Sequence, residues 1–196
     1  MIDKELKMKQ SIKFLVSLLT IPLLLTGCFA SDEEEVASTT EVYETSNFSI
    51  SIPQDWEILE ESEFTSNIPQ STIVAFRNNI KNEIFNANVN ISVQNTNLTD
   101  PSDLAKSSKA NAKTSLISFQ EIETKDIEVK SGDGTIKGTL MEFQGKKSAQ
   151  ESMIRFKQLY IIRGNTAYTI TTAYLPDEDG TVVQYIDEML NSFALK

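Results

Sequence analysis

The sequence predicts an α+β domain in which helices cover an antiparallel sheet. Three features indicate this: apolar residues recur at every second position, short turn-forming segments follow such stretches, and two segments carry helix-capping residues. The chain has 196 residues, of which 40% are apolar and 23% charged. That composition is typical of a globular protein, and the length favours one domain with an additional segment over two domains.

The alternation that predicts strands is clearest at residues 48–52 and 88–93. Because successive side chains of a strand point to opposite faces, these strands should have one apolar and one polar face. Further strands are predicted at 56–59, 72–77, 121–130, 135–143, 153–163 and 167–174. The segments 132–134 (Gly-Asp-Gly) and 164–165 (Gly-Asn) should close antiparallel hairpins, because glycine and asparagine accept positive φ.

Two helices are predicted. In the first, Asp100 can cap the N-terminus, Pro101 suits the first helical position, and the helix should end near Leu116. Its apolar stripe is weak, so we expect it to be partly exposed. The second follows residues 176–180 and places five apolar side chains on one face, which should pack on the sheet: Val182, Ile186, Met189, Leu190 and Phe193.

Charge and residue usage exclude several classes of function. The chain has 18 Lys and Arg against 28 Asp and Glu, a net charge of −10, so we expect no nucleic-acid partner. It has no histidine and a single cysteine, which excludes a Ser/His/Asp triad, zinc clusters and an internal disulfide. Phosphate-binding glycine loops and Ser-x-x-Lys spacings are also missing from the sequence. We therefore expect no cofactor and no metal.

Residues 1–27 have the profile of a signal peptide. Lysines precede an apolar run at 14–25, which contains Pro22. As a helix this run would span roughly 18 Å, against about 30 Å for the hydrocarbon core of a bilayer. The run therefore predicts an export signal, with the rest of the chain outside the cytoplasm.

The four residues after this run, Leu25-Thr26-Gly27-Cys28, resemble the lipobox of bacterial lipoproteins. The resemblance implies cleavage before Cys28 and lipid attachment to its thiol. The resemblance therefore implies that the protein is attached to its membrane partner through acyl chains on Cys28. Two acyl chains hold a protein on a membrane far more stably than one. The expected location is the cell membrane or an outer membrane, on the extracytoplasmic side. The alternative is an ordinary signal peptide followed by a buried free cysteine.

Residues 28–46 are predicted to be an acidic, flexible tether, and 47–196 a single domain. The tether has few bulky apolar residues and four consecutive acids at 32–35. Such a composition cannot bury enough apolar surface to fold. Mutual repulsion along it should hold the domain away from the membrane.

The domain resembles the PsbP-like superfamily. The opening Phe48, Ile50, Pro53 and Trp56 fit that family's F-x-I-x-x-P-x-x-W strand and turn, and the helix from Pro101, the hairpin at 163–165 and the final helix also match. The resemblance implies an α/β/α sandwich with a central antiparallel sheet. Photosynthetic members are accessory subunits, whereas many bacterial members are lipoproteins. Histidine-dependent contacts of photosynthetic members cannot apply to a chain without histidine, so a photosystem role is not supported.

Two acidic groups are candidate sites, Glu60, Glu61 and Glu63 in one and Asp177, Glu178 and Asp179 in the other. Each group could serve acid/base chemistry or bind calcium. Alternatively, the first group is a solvated loop, and the second caps a helix N-terminus. Aromatic residues that could line a groove or pack in the core are Trp56, Tyr160, Tyr168 and Tyr174.

The sequence thus predicts a non-enzymatic binding or assembly-accessory module with an unidentified envelope protein as partner. Two alternatives stay open. One is a glycan-acting hydrolase that uses carboxylates alone, which requires two acids at the separation typical of glycosidases. The other is a lipoprotein that binds calcium or a small ligand, with 177–179 as the candidate loop.

Overall fold

The computed structural model describes residues 40–64, 68–79 and 84–196. The strands and helices of this part of the chain follow in order: β1 Thr40–Glu44, β2 Phe48–Pro53, β3 Trp56–Glu60, β4 Thr72–Asn78, β5 Asn88–Asn95, α1 Pro101–Ser115, β6 Ile117–Ser131, β7 Gly134–Lys146, β8 Ile154–Arg163, β9 Thr166–Tyr174, α2 Gly180–Ser192 and β10 Ala194–Leu195. Every predicted strand and both predicted helices are confirmed. A single 3-10 turn, Glu61–Glu63, follows β3.

The strands form one sheet in the order β1-β2-β10-β6-β7-β8-β9-β5-β4-β3. Neighbouring strands are antiparallel except β10 and β6, which run parallel. The predicted antiparallel sheet is therefore corrected to a mixed one. The parallel pair arises because the chain leaving α2 inserts the two residues of β10 between β2 and β6. Two residues are too few to produce a period-two pattern in the sequence.

The helix ends are set by the residues that the sequence indicated. Asp100 Oδ1 accepts a hydrogen bond from Ser102 N at 2.9 Å and so caps α1. Asp179 Oδ1 accepts one from Thr181 N at 2.8 Å and caps α2. The two helices contact different residues of the sheet: Leu159 and Ile161 of β8 belong to the core cluster that contains α2, whereas Tyr160 packs with Ala105 of α1.

The sheet curls until its first strand meets strands near its opposite edge. The ring of Tyr43 in β1 lies 5.4 Å from that of Phe76 in β4, in an edge-to-face arrangement. The buried face of α2 is part of the large core cluster within this curve. At the end of α2, Ser192 Oγ accepts a hydrogen bond from Ser51 N of β2 at 2.9 Å. The curl of the sheet, with the buried face of α2 inside it, encloses most of the core.

Both predicted glycine turns close hairpins. Gly132 and Gly164 have φ of 56° and 62°, and each occupies the first position of a two-residue turn. This is the position at which a type II′ hairpin turn needs glycine. In the described residues, no helix has the length and apolar character needed to span a membrane.

The end of the predicted tether is not a spacer, because Thr40–Glu44 is strand β1 and pairs with β2 along its whole length. Tyr43 is the member of β1 that packs against the core, so this edge strand lacks the repeated apolar positions by which strands are recognised. The predicted leader, the rest of the tether and Cys28 lie outside the described residues.

Tyr43→Ala tests whether β1 belongs to the domain. We expect a loss of about 1–2 kcal/mol of unfolding free energy, because the substitution removes an aromatic contact with Phe76 and part of the buried area. The matched control is Val42→Ala, since Val42 is 62% exposed in the same strand. Urea unfolding followed by circular dichroism measures both. Equal stability of the two variants would contradict the placement of β1.

Candidate functional site: a cleft on the sheet

The aromatic residues singled out in the sequence do not form a groove. Trp56 is buried in the main core, where Tyr168 and Tyr174 also lie. Tyr160 is buried against α1 instead, so the three tyrosines do not line one surface. Their packing role is confirmed.

Neither acidic group forms a metal site. Glu60 N donates to Glu63 Oε2 at 3.0 Å, which closes the 3-10 turn reciprocally. Asp179 caps α2, and the hydrogen bond from the Thr181 backbone holds the pKa of its carboxyl below the usual value. Across the part of the chain that the structure describes, no three Asp, Glu, Cys or His side chains are placed to hold a metal ion. The calcium alternative therefore has no geometric support.

The cap at Asp179 makes a prediction about pH. Because the folded pKa of Asp179 is lowered, its stabilisation is present above the unfolded pKa and is lost as pH falls through the folded pKa. We expect Asp179→Ala to lower the melting temperature at about pH 7, with a difference from the wild type that disappears toward about pH 2. Asp177→Ala is the control, since Asp177 is exposed nearby. A pH-independent difference would contradict this role.

Charged side chains under α2 pair with one another. Lys157 Nζ lies 2.5 Å from Asp187 Oδ1, and Arg155 Nε lies 3.7 Å from Glu142 Oε1. Burial raises the pKa of Tyr174, and the charge of Glu142 adds to this rise, so the phenol stays protonated at neutral pH. Each acid here already faces a base, and the pair between Lys157 and Asp187 joins α2 to β8.

A cleft opens on the other face of the sheet, beside α1. Two rows of cross-strand neighbours form its base: Leu59, Ala75, Asn90 and Thr171 in one, and Arg77, Asn88, Ala173 and Phe156 in the other. These rows face the α1 side, because Gln158, the next residue in the first row, accepts a hydrogen bond from Ser108 of α1 at 3.2 Å. Helix α1 contacts β6, β7 and β8 and leaves this region of the sheet uncovered.

The cleft has a volume of about 350 Å³, within the range of small-ligand sites. Loop residues Ile68, Pro69, Phe85 and Lys147 and the β8 residue Ile154 complete its walls. Most of the lining is aliphatic or aromatic. Among the described residues that line it, none is Asp or Glu. These described lining residues are thus suited to contact an apolar group and include no acid for acid/base chemistry.

Some polar side chains of the cleft already have a partner within the protein in an ion pair or hydrogen bond, whereas Lys147 has no ion-pair partner among the described residues. Arg77 Nη2 lies 2.5 Å from Glu57 Oε2, so its charge is balanced. Asn88 Nδ2 donates to the carbonyl oxygen of Asn86 at 3.0 Å. Lys147 is exposed. It is 4 Å or more from every acid in the described residues, since no ion pair involves it. It is therefore available to a ligand.

The sequence did not reveal the cleft, because its residues come from five strands and three loops that are distant in sequence. The period-two pattern assigns Ala75, Asn90 and Ala173 to one face of the sheet. It does not tell whether a helix covers that part of the face. One signal of the cleft was in the sequence. Ala75 and Ala173 are small residues on the face of their strands that points away from the core, where a solvent-exposed sheet usually carries larger polar side chains.

No protein-family model matches the chain, and no curated protein sequence matches it. Solved structures do. CyanoP, the PsbP of the cyanobacterium Synechocystis sp. PCC 6803, superimposes with a TM-score of 0.58 at 13% identity, over 81% of this chain and 94% of CyanoP. LpqN of Mycobacterium tuberculosis, involved in cell envelope biogenesis, gives 0.53 at 13% identity, over 81% and 90%. PA94 of Pseudomonas aeruginosa, of unknown function, gives 0.50 at 15%, over 78% and 94%.

At these identities the similarity defines the fold. The described domain has a fold similar to that of PsbP-like proteins, as the opening strand and turn of the sequence indicated.

Proposed function

We propose that this chain is a lipid-anchored, non-enzymatic binding or assembly-accessory module on the extracytoplasmic side of a cell membrane or outer membrane, and that its helices and sheet form the α/β/α sandwich of PsbP-like proteins. The observation that carries the binding role is the cleft. It is an open, mostly apolar concavity of about 350 Å³ on a sheet face that α1 does not cover. Pockets of this kind are the usual place for a ligand or a partner side chain.

Hydrolysis of glycans is less well supported. A glycosidase places two acids about 5 to 9.5 Å apart on either side of the bond it cleaves. The described lining of the cleft has no such acids, and those under α2 are paired with Lys157 and Arg155. The arrangement therefore favours binding without bond cleavage.

The anchor rests on the lipobox Leu25-Thr26-Gly27-Cys28. Similarity of fold to LpqN, a protein of cell envelope biogenesis, supports an envelope location. Since β1 begins at Thr40, the tether we propose runs over residues 28–39 and the domain over 40–196. The acidic tether would be repelled by an anionic membrane surface, so acyl chains rather than basic residues would provide the attachment.

Membrane fractionation of cells grown with labelled fatty acid tests the anchor. We expect the wild-type chain in the membrane fraction with label attached, and Cys28→Ser in the soluble fraction or unprocessed, without label. Ser31→Ala is the control and should behave as the wild type. Label retained by Cys28→Ser would refute lipid attachment at this residue. Crosslinking in intact membranes then tests the accessory role, which predicts a recurrent protein partner.

A further inference from the structure

We propose that the cleft binds a small amphiphile with one acyl chain and a carboxylate head. This inference rests on the proposed function, in which the cleft is a binding site, and it names the ligand class. A second cavity of about 400 Å³ adjoins the cleft and shares Phe85, Lys147 and Ile154 with it. Its other described lining residues are mainly polar: Gln150, Glu151, Ser152 and the exposed Ile84. A ligand that fills both cavities therefore needs an apolar end and a polar end.

The size and lining of the cleft suit a single acyl chain. At about 30 Å³ for each water-sized group, 350 Å³ holds about a dozen such groups. Leu59, Phe85, Ile154 and Phe156 offer apolar surface on several sides. A chain of eight to ten carbons is thus about the length that fits, and each methylene transferred from water tightens binding about fourfold.

The charge at the junction selects the head group. Lys147 lines both cavities, and no described acid pairs with it. Arg77, the other cation of the cleft, is paired with Glu57. Glu151 in the second cavity would repel a diffuse or doubly charged anion more than a single carboxylate placed at Lys147. A carboxylate between the two cavities would accept hydrogen bonds from the ammonium while its chain occupies the cleft.

Calorimetry with decanoate, below its micelle-forming concentration, tests this inference. All proteins are the full chain with Cys28→Ser, so that any binding by the leader is common to every sample. We expect decanoate to bind about 15-fold more tightly than octanoate and more tightly than decylamine. Lys147→Met should weaken decanoate binding about three- to tenfold. The matched control Lys146→Met removes the adjacent lysine, which does not line the cleft, and should change binding less than twofold.

Ala75→Phe places a ring inside the cleft and should abolish binding. If this variant loses the circular dichroism signal of the folded chain, the comparison of Lys147→Met with Lys146→Met tests the binding site instead. The proposal is overturned by any of four results: no binding at millimolar decanoate, equal binding of decylamine, equal effects of Lys146→Met and Lys147→Met, or undiminished binding by folded Ala75→Phe. Preference for lysophosphatidylglycerol, with the same dependence on Lys147, would overturn the carboxylate head in favour of a phospholipid.

The two proposals fail separately. Absence of decanoate binding, with the wild-type chain still anchored and labelled, overturns the ligand and leaves the anchored module intact. Absence of label on the wild-type chain overturns the anchor without affecting the calorimetry.

Discussion

Phe193→Ala should lower the free energy of unfolding by about 3–5 kcal/mol, the cost typical of deleting a buried ring. Phe193 lies between α2 and β10 and is 2% exposed. Its ring stacks on Phe48 of β2 at 5.4 Å between centroids and lies 6.4 Å from Tyr168 of β9. The side chain thus joins the end of α2 to two separated strands, and its removal leaves a cavity at the centre of the curl.

Urea unfolding of the purified chain measures this loss. The control is Ile122→Ala, because Ile122 is 46% exposed on β6, and its loss should be within about 0.5 kcal/mol. A loss for Phe193→Ala as small as that of the control would show that the curled sheet does not close on α2.

Gly138→Val should cost about 2–3 kcal/mol, because β7 has no room for a side chain at this position. A Cβ there would lie 2.9 Å from Val129 Cγ2 and 3.1 Å from Leu159 Cδ1. Both neighbours are buried in the core, so they have little freedom to move. The glycine lets β6, β7 and β8 approach closely on the side that faces the core.

Gly134→Val is the matched control for this prediction. Gly134 begins the same strand, and a Cβ there would meet nothing within 4 Å. We expect little loss, since valine favours strands. Thermal unfolding of the two variants compares a crowded position with an open one in a single strand. Similar melting temperatures would contradict the close packing at Gly138.

Local features of the sequence predicted most of the fold. The caps at Asp100 and Asp179 act on backbone groups two residues away, and the hairpin glycines act within their own turns, so neighbours in sequence suffice to recognise them. Strands β1 and β10 were missed because their stability comes from distant partners. β1 contributes mainly Tyr43 to the core, and β10 has two residues held between β2 and β6.

The cleft could not be predicted from the sequence, because strands and loops that are distant in the chain bring its residues together. Asn90 and Thr171 are neighbours across β5 and β9, although many residues separate them in the sequence. Lys147 is one of two consecutive lysines, and only the fold places it at the junction of two cavities. Of the acids that the sequence did emphasise, Glu60 and Glu63 close a 3-10 turn and Asp179 caps α2. Carboxylates near a helix N-terminus stabilise it whether or not they have another role.

Mass spectrometry of the protein purified from its own membranes tests the anchored module most directly. The proposal predicts an N-terminal peptide that begins at Cys28 and carries the mass of a diacylglyceryl group. An unmodified Cys28 in a chain that still has residues 1–27 would contradict it, because the folded domain would then lack its proposed attachment outside the cell.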